Sequence, residues 1–164
     1  MFNLKAKFYL KIILLFSFVA LISAFFIEYV LGHQPCNLCL IERIPYGLSI
    51  IIITTIFLIK KNQKFLVLLL ILTFFFSFAI SSYHYGIEQG FFQESSLCGV
   101  KNLTESITKE DLLKQLSEKT ISCRDVTFRI FGLSLTSINI VINIILIITL
   151  SKIYTQYEKN KYQS

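Results

Sequence analysis

Four apolar runs dominate the chain: Phe8 to Leu31, Leu40 to Ile59, Phe65 to Tyr85 and Ile130 to Leu150. As helices at ~1.5 Å per residue, runs of about 20 residues each cross a hydrocarbon core of about 30 Å. Only 16% of the 164 residues are charged and the mean hydropathy is +0.66, whereas a soluble domain carries roughly 25% charge. An ordinary soluble globule is excluded. Lys11 and Glu28 interrupt the first run only near its ends. It is also longer than the roughly 7 to 15 apolar residues of a secretory signal, so it reads as a retained span. The fourth run carries Thr136, Ser137, Asn139 and Asn143, polar groups that bond to neighbouring helices where water does not compete. The expected fold is an all-α membrane protein: one domain over 1–164, built as a four-transmembrane-helix bundle with spans at 8–31, 40–59, 65–85 and 130–150.

The charges orient the bundle. Lys5, Lys7, Lys11, Lys60, Lys61, Lys64, Lys152, Lys159 and Lys161 face one side with the single acid Glu158, giving +8. The other side has seven bases (Arg43, Lys101, Lys109, Lys114, Lys119, Arg124 and Arg129) against nine acids, giving −2. Because basic loops stay in the cytoplasm, both termini and the 60–64 loop are expected there. The tyrosines agree, with Tyr9, Tyr154, Tyr157 and Tyr162 near the inner boundary and Tyr29, Tyr46, Tyr83 and Tyr85 near the outer one. That is an aromatic-belt distribution. The net charge of +6 is thus a signature of topology and lipid contact, and nucleic acid is not an expected partner.

A short loop at 32–39 and a long one at 86–129 remain outside. The long loop is of a size that needs disulfides, metal or a partner to hold together, so it is not an enzyme by itself. Thr108 to Asp111 resembles a capping box and predicts a short helix with Leu112, Leu113 and Leu116 on one face.

All four cysteines fall on the outer side: Cys36 and Cys39 as Cys-Asn-Leu-Cys directly before span two, Cys98 and Cys123 in the long loop. If the cell is bacterial, that side is a periplasm, where disulfides persist. Two disulfides stapling the loops of a non-catalytic scaffold is one reading. Redox activity is the other, and it fits Cys36 and Cys39 better. Their two-residue spacer closes too small a ring to remove much unfolded-chain entropy, and it recurs where thiolate pKa is lowered for exchange. The spacings fit zinc ribbons poorly, so no metal is expected.

Arg43 follows Cys39 by four residues, so on a helix beginning near Leu40 the two share a face. A guanidinium there favours a Cys39 thiolate and offers donors to a carbonyl oxygen; a snorkelling arginine is the plainer alternative. Glu42 is expected to pair with Arg43, and Pro45 to mark a kink that opens a pocket beside it. A lipid-soluble two-electron acceptor suits the position, and a quinone is the obvious candidate. The chain has no dinucleotide fingerprint and no haem-attachment motif.

These residues resemble the DsbB family of disulfide-bond formation proteins. The likeness runs through Glu28-Tyr29, Pro35-Cys36-Asn37-Leu38-Cys39, Glu42-Arg43-Ile44-Pro45-Tyr46, Tyr83-His84 with Gly86-Ile87-Glu88, Cys98, Cys123 and Phe131-Gly132-Leu133-Ser134. The resemblance implies a bacterial inner-membrane enzyme, a protein-dithiol:quinone oxidoreductase. It would reoxidise a periplasmic DsbA-like thioredoxin-fold protein and reduce ubiquinone or menaquinone. It further implies that Cys98 holds the mixed disulfide with the partner, that Cys123 attacks Cys36, and that Cys39 is released beside a quinone held by Arg43. A branch serving a dedicated partner carries the same motifs. The chain departs from the family in having no Trp, so any tryptophan role near span four would fall to residues such as Phe128. His84 reads plainly as an interfacial histidine at the end of span three, although the resemblance offers it a place near the quinone. His33 reads as a loop residue that could tune the first pair.

Overall fold

The structure is a computed structural model that describes residues 4–59, 62–94, 98, 122–124, 129–130 and 132–162. The helix expected from Thr108 to Leu116 lies outside these residues, as does Phe128.

Four helices are long and apolar enough to cross a membrane. The first is α1 (Leu4–Tyr29); the second span joins a short α2 (Asn37–Ile41) to α3 (Ile44–Leu58); α4 runs over Gln63–Glu88 and α5 over Leu135–Tyr162. A two-stranded antiparallel hairpin, β1 (Arg129–Ile130) and β2 (Leu133–Ser134), precedes α5.

The seams follow from residue spacing. On α4 the buried positions include Gln63, Val67, Leu70, Phe74, Ser77, Ser81 and His84, alternating steps of four and three that keep one stripe facing a partner helix. On α5 the buried Thr136, Asn143, Leu146, Leu150 and Ile153, with Asn139 between the first two, repeat that spacing. The two stripes pack together, α1 packs on α3, and α3 packs on α4. Each of the α4 and α5 seams is apolar in one half and polar in the other. Val67, Leu70, Phe74, Leu146, Leu150 and Ile153 belong to the apolar core, while Ser77, Ser81, His84, Thr136 and Asn143 are buried polar residues toward the cysteine end. Large apolar side chains such as Leu15, Phe18, Ile51, Leu72, Phe75 and Ile145 point outward, as a surface solvated by lipid tails requires.

The starts of spans two and four differ from the sequence expectation. Span two starts at Asn37, where Cys36 acts as N-cap and its Sγ accepts the Cys39 N–H. The helix is interrupted at Glu42 and Arg43, and Pro45 sits in the first turn of α3, consistent with the kink expected there. Span four starts at Leu135 rather than Ile130. Gly132, at φ 83°, turns the chain in the hairpin, and Ser134 then caps α5 by accepting the Ser137 N–H at 3.2 Å; a left-handed glycine cannot continue a helix. Tyr46, counted above in the outer belt, faces inward at 8% exposure and donates its hydroxyl to Asn139.

A dithiol at the mouth of a buried cavity

Cys36 and Cys39 are free thiols with their Sγ atoms 2.7 Å apart. His84 reaches the same point from α4, its Nε2 3.6 Å from Cys36 Sγ. Three donors therefore converge on Cys36: the Cys39 thiol, the Cys39 backbone N–H at 3.3 Å and the imidazole. The hydrogen bond from the Cys39 thiol, above all, holds the Cys36 thiol down at about 4; burial opposes this, and the His84 hydrogen bond and charge reinforce it. The hydrogen bonds at this point thus converge on Cys36 Sγ, whereas the Arg43 charge expected beside Cys39 is paired with Glu28.

His84 is a central residue here and not an interfacial one, with 2% exposure. Its Nδ1 lies 2.9 Å from Glu42 Oε1 and 3.3 Å from Thr136 Oγ1, and Glu88 Oε1 stands 3.9 Å from Nε2. Glu42 does not pair with Arg43. Its second carboxylate oxygen accepts from Asn139 Nδ2 at 2.9 Å, and the same amide reaches Ser81 Oγ at 2.8 Å. The physical reason is the helix break: once α2 ends at Ile41, Glu42 turns into the polar half of the α4–α5 seam, where burial demands hydrogen-bond partners. Arg43 instead forms an ion pair with Glu28 of α1 and lies 5.3 Å from the centroid of the Phe25 ring.

A cavity of about 340 Å³ opens beside this group. Its apolar walls come from α1 (Phe16, Val19, Ala20) and α5 (Ile138, Ile142), and its polar end from Cys39, Glu42, Arg43, Tyr46, Thr136 and Asn139. Small-molecule sites, mostly apolar with a few placed polar groups, have this composition.

Cys98 and Cys123 are bonded to each other with Cα atoms 5.6 Å apart. Both are buried in one cluster with Cys36, Leu38 and Ile87, against which Cys39, Ile80 and Tyr83 pack. The α4 terminus sets up this arrangement. Gly90 takes φ 79°, Phe91 N–H bonds back to Gly86 O at 2.8 Å, and the Phe92 ring stacks on Tyr83 at 5.7 Å. The ring occupies the space that a Cβ on Gly86 would need, 2.3 Å from its nearest atom. Glu94, just beyond, accepts from Ser122 Oγ and from the Arg124 N–H, bracketing Cys123 from both sides.

The structure thus brings together Cys36, Cys39, Glu42, His84, Cys98 and Cys123, and sets Arg43 in the cavity wall. The sequence reading gave no role to Glu28, Glu88 or Glu94, counted Tyr46 only in the outer belt and treated Thr136 and Asn139 only as packing residues. A usable signal existed for Glu28, the one acid within the first apolar run.

Four apolar helices with a dithiol at a cavity mouth and a disulfide packed against it define a multi-pass membrane protein equipped for thiol–disulfide chemistry. The chain matches the model of the family described as "Disulfide bond formation protein DsbB" over residues 6–152, and it belongs to that family. It is also similar to the uncharacterized protein RP370 of Rickettsia prowazekii (strain Madrid E), with 32% identity over 152 residues that cover 92% of this chain and 88% of that one. No solved structure matches it. Family membership ties the chain to disulfide bond formation and makes a disulfide oxidoreductase its expected class.

Proposed function

We propose that this protein reoxidises a periplasmic thioredoxin-fold dithiol of the DsbA kind and passes the electrons to a membrane quinone. In this reading it sits in a bacterial inner membrane as a single domain, with both termini in the cytoplasm and the loops at 32–39 and 86–129 outside. The observation that carries the proposal is the packing of both cysteine pairs in one buried cluster, with Cys39 opening into the cavity.

A partner thiolate attacks Cys98, breaking the Cys98–Cys123 bond and releasing Cys123 as thiolate. The partner's second thiolate then displaces Cys98, which leaves the partner oxidised and the outer pair reduced. Cys123 attacks Cys36 of an oxidised inner pair, releasing Cys39 as thiolate at the cavity wall, and Cys98 closes the outer disulfide by displacing Cys36. The inner dithiol so formed is the state in which His84 and Cys39 both contact Cys36 Sγ. His84 is placed to take the thiol proton at Nε2 while Glu42 holds Nδ1.

A quinone fits the lining: apolar walls for its tail and ring, with the Arg43 guanidinium, whose N–H groups are not all taken by Glu28, at the end where its carbonyl oxygens would need donors. When bound, it supplies the acceptor for two electrons and two protons, so that dithiol and quinone become disulfide and quinol. Arg43 lends its positive charge to that end, fixed in place by Glu28.

The test is quinone reduction by the purified protein with a reduced thioredoxin-fold partner. Turnover is expected to vanish in Cys36→Ser and in Cys39→Ser; full turnover in both variants would overturn the reading.

A further inference from the structure

Three metal-binding atoms meet in the polar half of the bundle. Cys36 Sγ, Cys39 Sγ and His84 Nε2 all lie within 4.8 Å of one another. The spacing of the cysteines alone argues against a zinc ribbon, but the third donor comes from α4, 48 positions beyond Cys36, and no spacing rule for cysteines includes it. A Cys-x2-Cys pair with a histidine is the donor set of borderline-soft d10 cations.

The surroundings complete what such a site needs. Glu42 Oε1 lies 2.9 Å from Nδ1 and so keeps the ring proton on that nitrogen. Once Nε2 gives up its own proton in exchange for an incoming cation, its lone pair is directed at the sulfurs, which is the carboxylate–histidine arrangement that orients metal-ligating imidazoles. Cys39 lines the cavity, which gives an ion an entry path and leaves the fourth position open to water. Charge balances as well, because two thiolates neutralise a divalent cation, and a neutral cluster is the form that burial tolerates.

We propose that the reduced Cys36–Cys39 pair, with Nε2 of His84, is a Zn²⁺ site. Binding forms two Zn–S bonds and one Zn–N bond, displaces the two protons that Cys36, Cys39 and His84 Nε2 share between them, and changes no oxidation state. At Zn–S distances of about 2.3 Å a tetrahedral site sets its sulfurs roughly 3.8 Å apart, so the 2.7 Å contact opens as Cys39 swings toward the cavity. The oxidised pair has no thiolate to offer and does not bind. Zinc therefore locks the inner pair in its reduced form and blocks transfer through it.

The test uses the full-length protein in detergent micelles, reduced with a phosphine, moved to metal-free buffer and titrated with Co²⁺ as the spectroscopic probe. One equivalent is expected to give sulfur-to-cobalt charge-transfer and intense visible bands that equimolar Zn²⁺ bleaches. The bands should be absent from the oxidised protein, Cys36→Ser and Cys39→Ser, and should persist in Cys98→Ser/Cys123→Ser. His84→Gln, shown by circular dichroism to keep its helices, should bind at least tenfold more weakly, on the scale of losing a ligand or its support. Absence of thiolate bands in the reduced protein, unchanged affinity in His84→Gln, or loss of binding in Cys98→Ser/Cys123→Ser would each overturn the proposal. Neither quinone nor protein partner enters the assay, so its failure leaves the proposed electron transfer standing, and the converse holds.

Discussion

Glu42 and His84 meet across two helices, carboxylate oxygen to imidazole nitrogen at 2.9 Å, and both are buried. Through that contact a residue at the break in span two fixes which nitrogen of the ring faces Cys36. The pair is therefore a positioning device for sulfur chemistry, and its removal should be felt at one step only.

His84→Ala is expected to slow transfer from the outer to the inner cysteine pair by roughly 10²-fold, the low end of what a positioned acid or base contributes. The attack of the partner on Cys98 should keep its rate. Acid quenching and trapping of mixed disulfides separates the two steps, and equal slowing of both would count against this role.

Arg43→Ala should raise the KM for quinone at least tenfold and leave that for the protein partner unchanged, because the lost donors belong to the cavity. Glu28→Gln should shift the quinone KM in the same direction by a smaller factor, since it frees the guanidinium without removing it. Steady-state kinetics with each substrate varied in turn reads both effects.

Asn139→Leu removes the amide that serves Glu42, Ser81 and Tyr46 and strands a buried carboxylate oxygen. At about 1 to 3 kcal/mol for each polar group left unsatisfied, thermal unfolding in detergent should show a clear drop in Tm. Asn143→Leu should cost much less. Its Nδ2 contact is long at 3.4 Å, and its Oδ1 has no partner among the described residues.

Gly86→Ala places a methyl group inside the Phe92 ring and should expel that ring from Tyr83, loosening the turn that leads to Glu94. The expected readout is faster reduction of Cys98–Cys123 by dithiothreitol. Adding Phe92→Ala removes the clash and should recover part of the loss, a coupling that a double-mutant cycle measures.

The bundle itself was legible because membrane spans obey a length rule that needs no tertiary information, and the cysteines because Cys36-x-x-Cys39 is a local pattern. Arg43 was legible as a charge too close to an apolar run to be incidental. The errors at Glu42 and His84 have one origin. Whether a carboxylate turns to the arginine beside it or to a histidine 42 positions away depends on how α4 docks, and sequence spacing carries no record of that. Tyr46 was misplaced for a similar reason: its position near the end of span two suits an interfacial ring equally well, and it is Asn139, Phe16 and Phe74 on other helices that draw it inward. The Ile130 boundary failed because Gly132 was read as part of an apolar run when its left-handed φ ends one.

One end of the outer loop is held close to the cluster through Glu94, which accepts hydrogen bonds from the residues on both sides of Cys123. Glu94, which follows the α4 terminus, stands four positions before Cys98, and the first residue of the hairpin, Arg129, six positions after Cys123. A fully stretched chain gains at most about 3.6 Å per residue, so these leashes limit the travel of Cys98 and Cys123 to roughly 14 and 22 Å from their anchors. Within such a radius one tethered sulfur meets another at an effective concentration on the order of tens of millimolar or more. In the proposed reaction, exchange between the pairs is then a first-order event, indifferent to how much protein the membrane holds, and only the encounter with a diffusing partner scales with abundance.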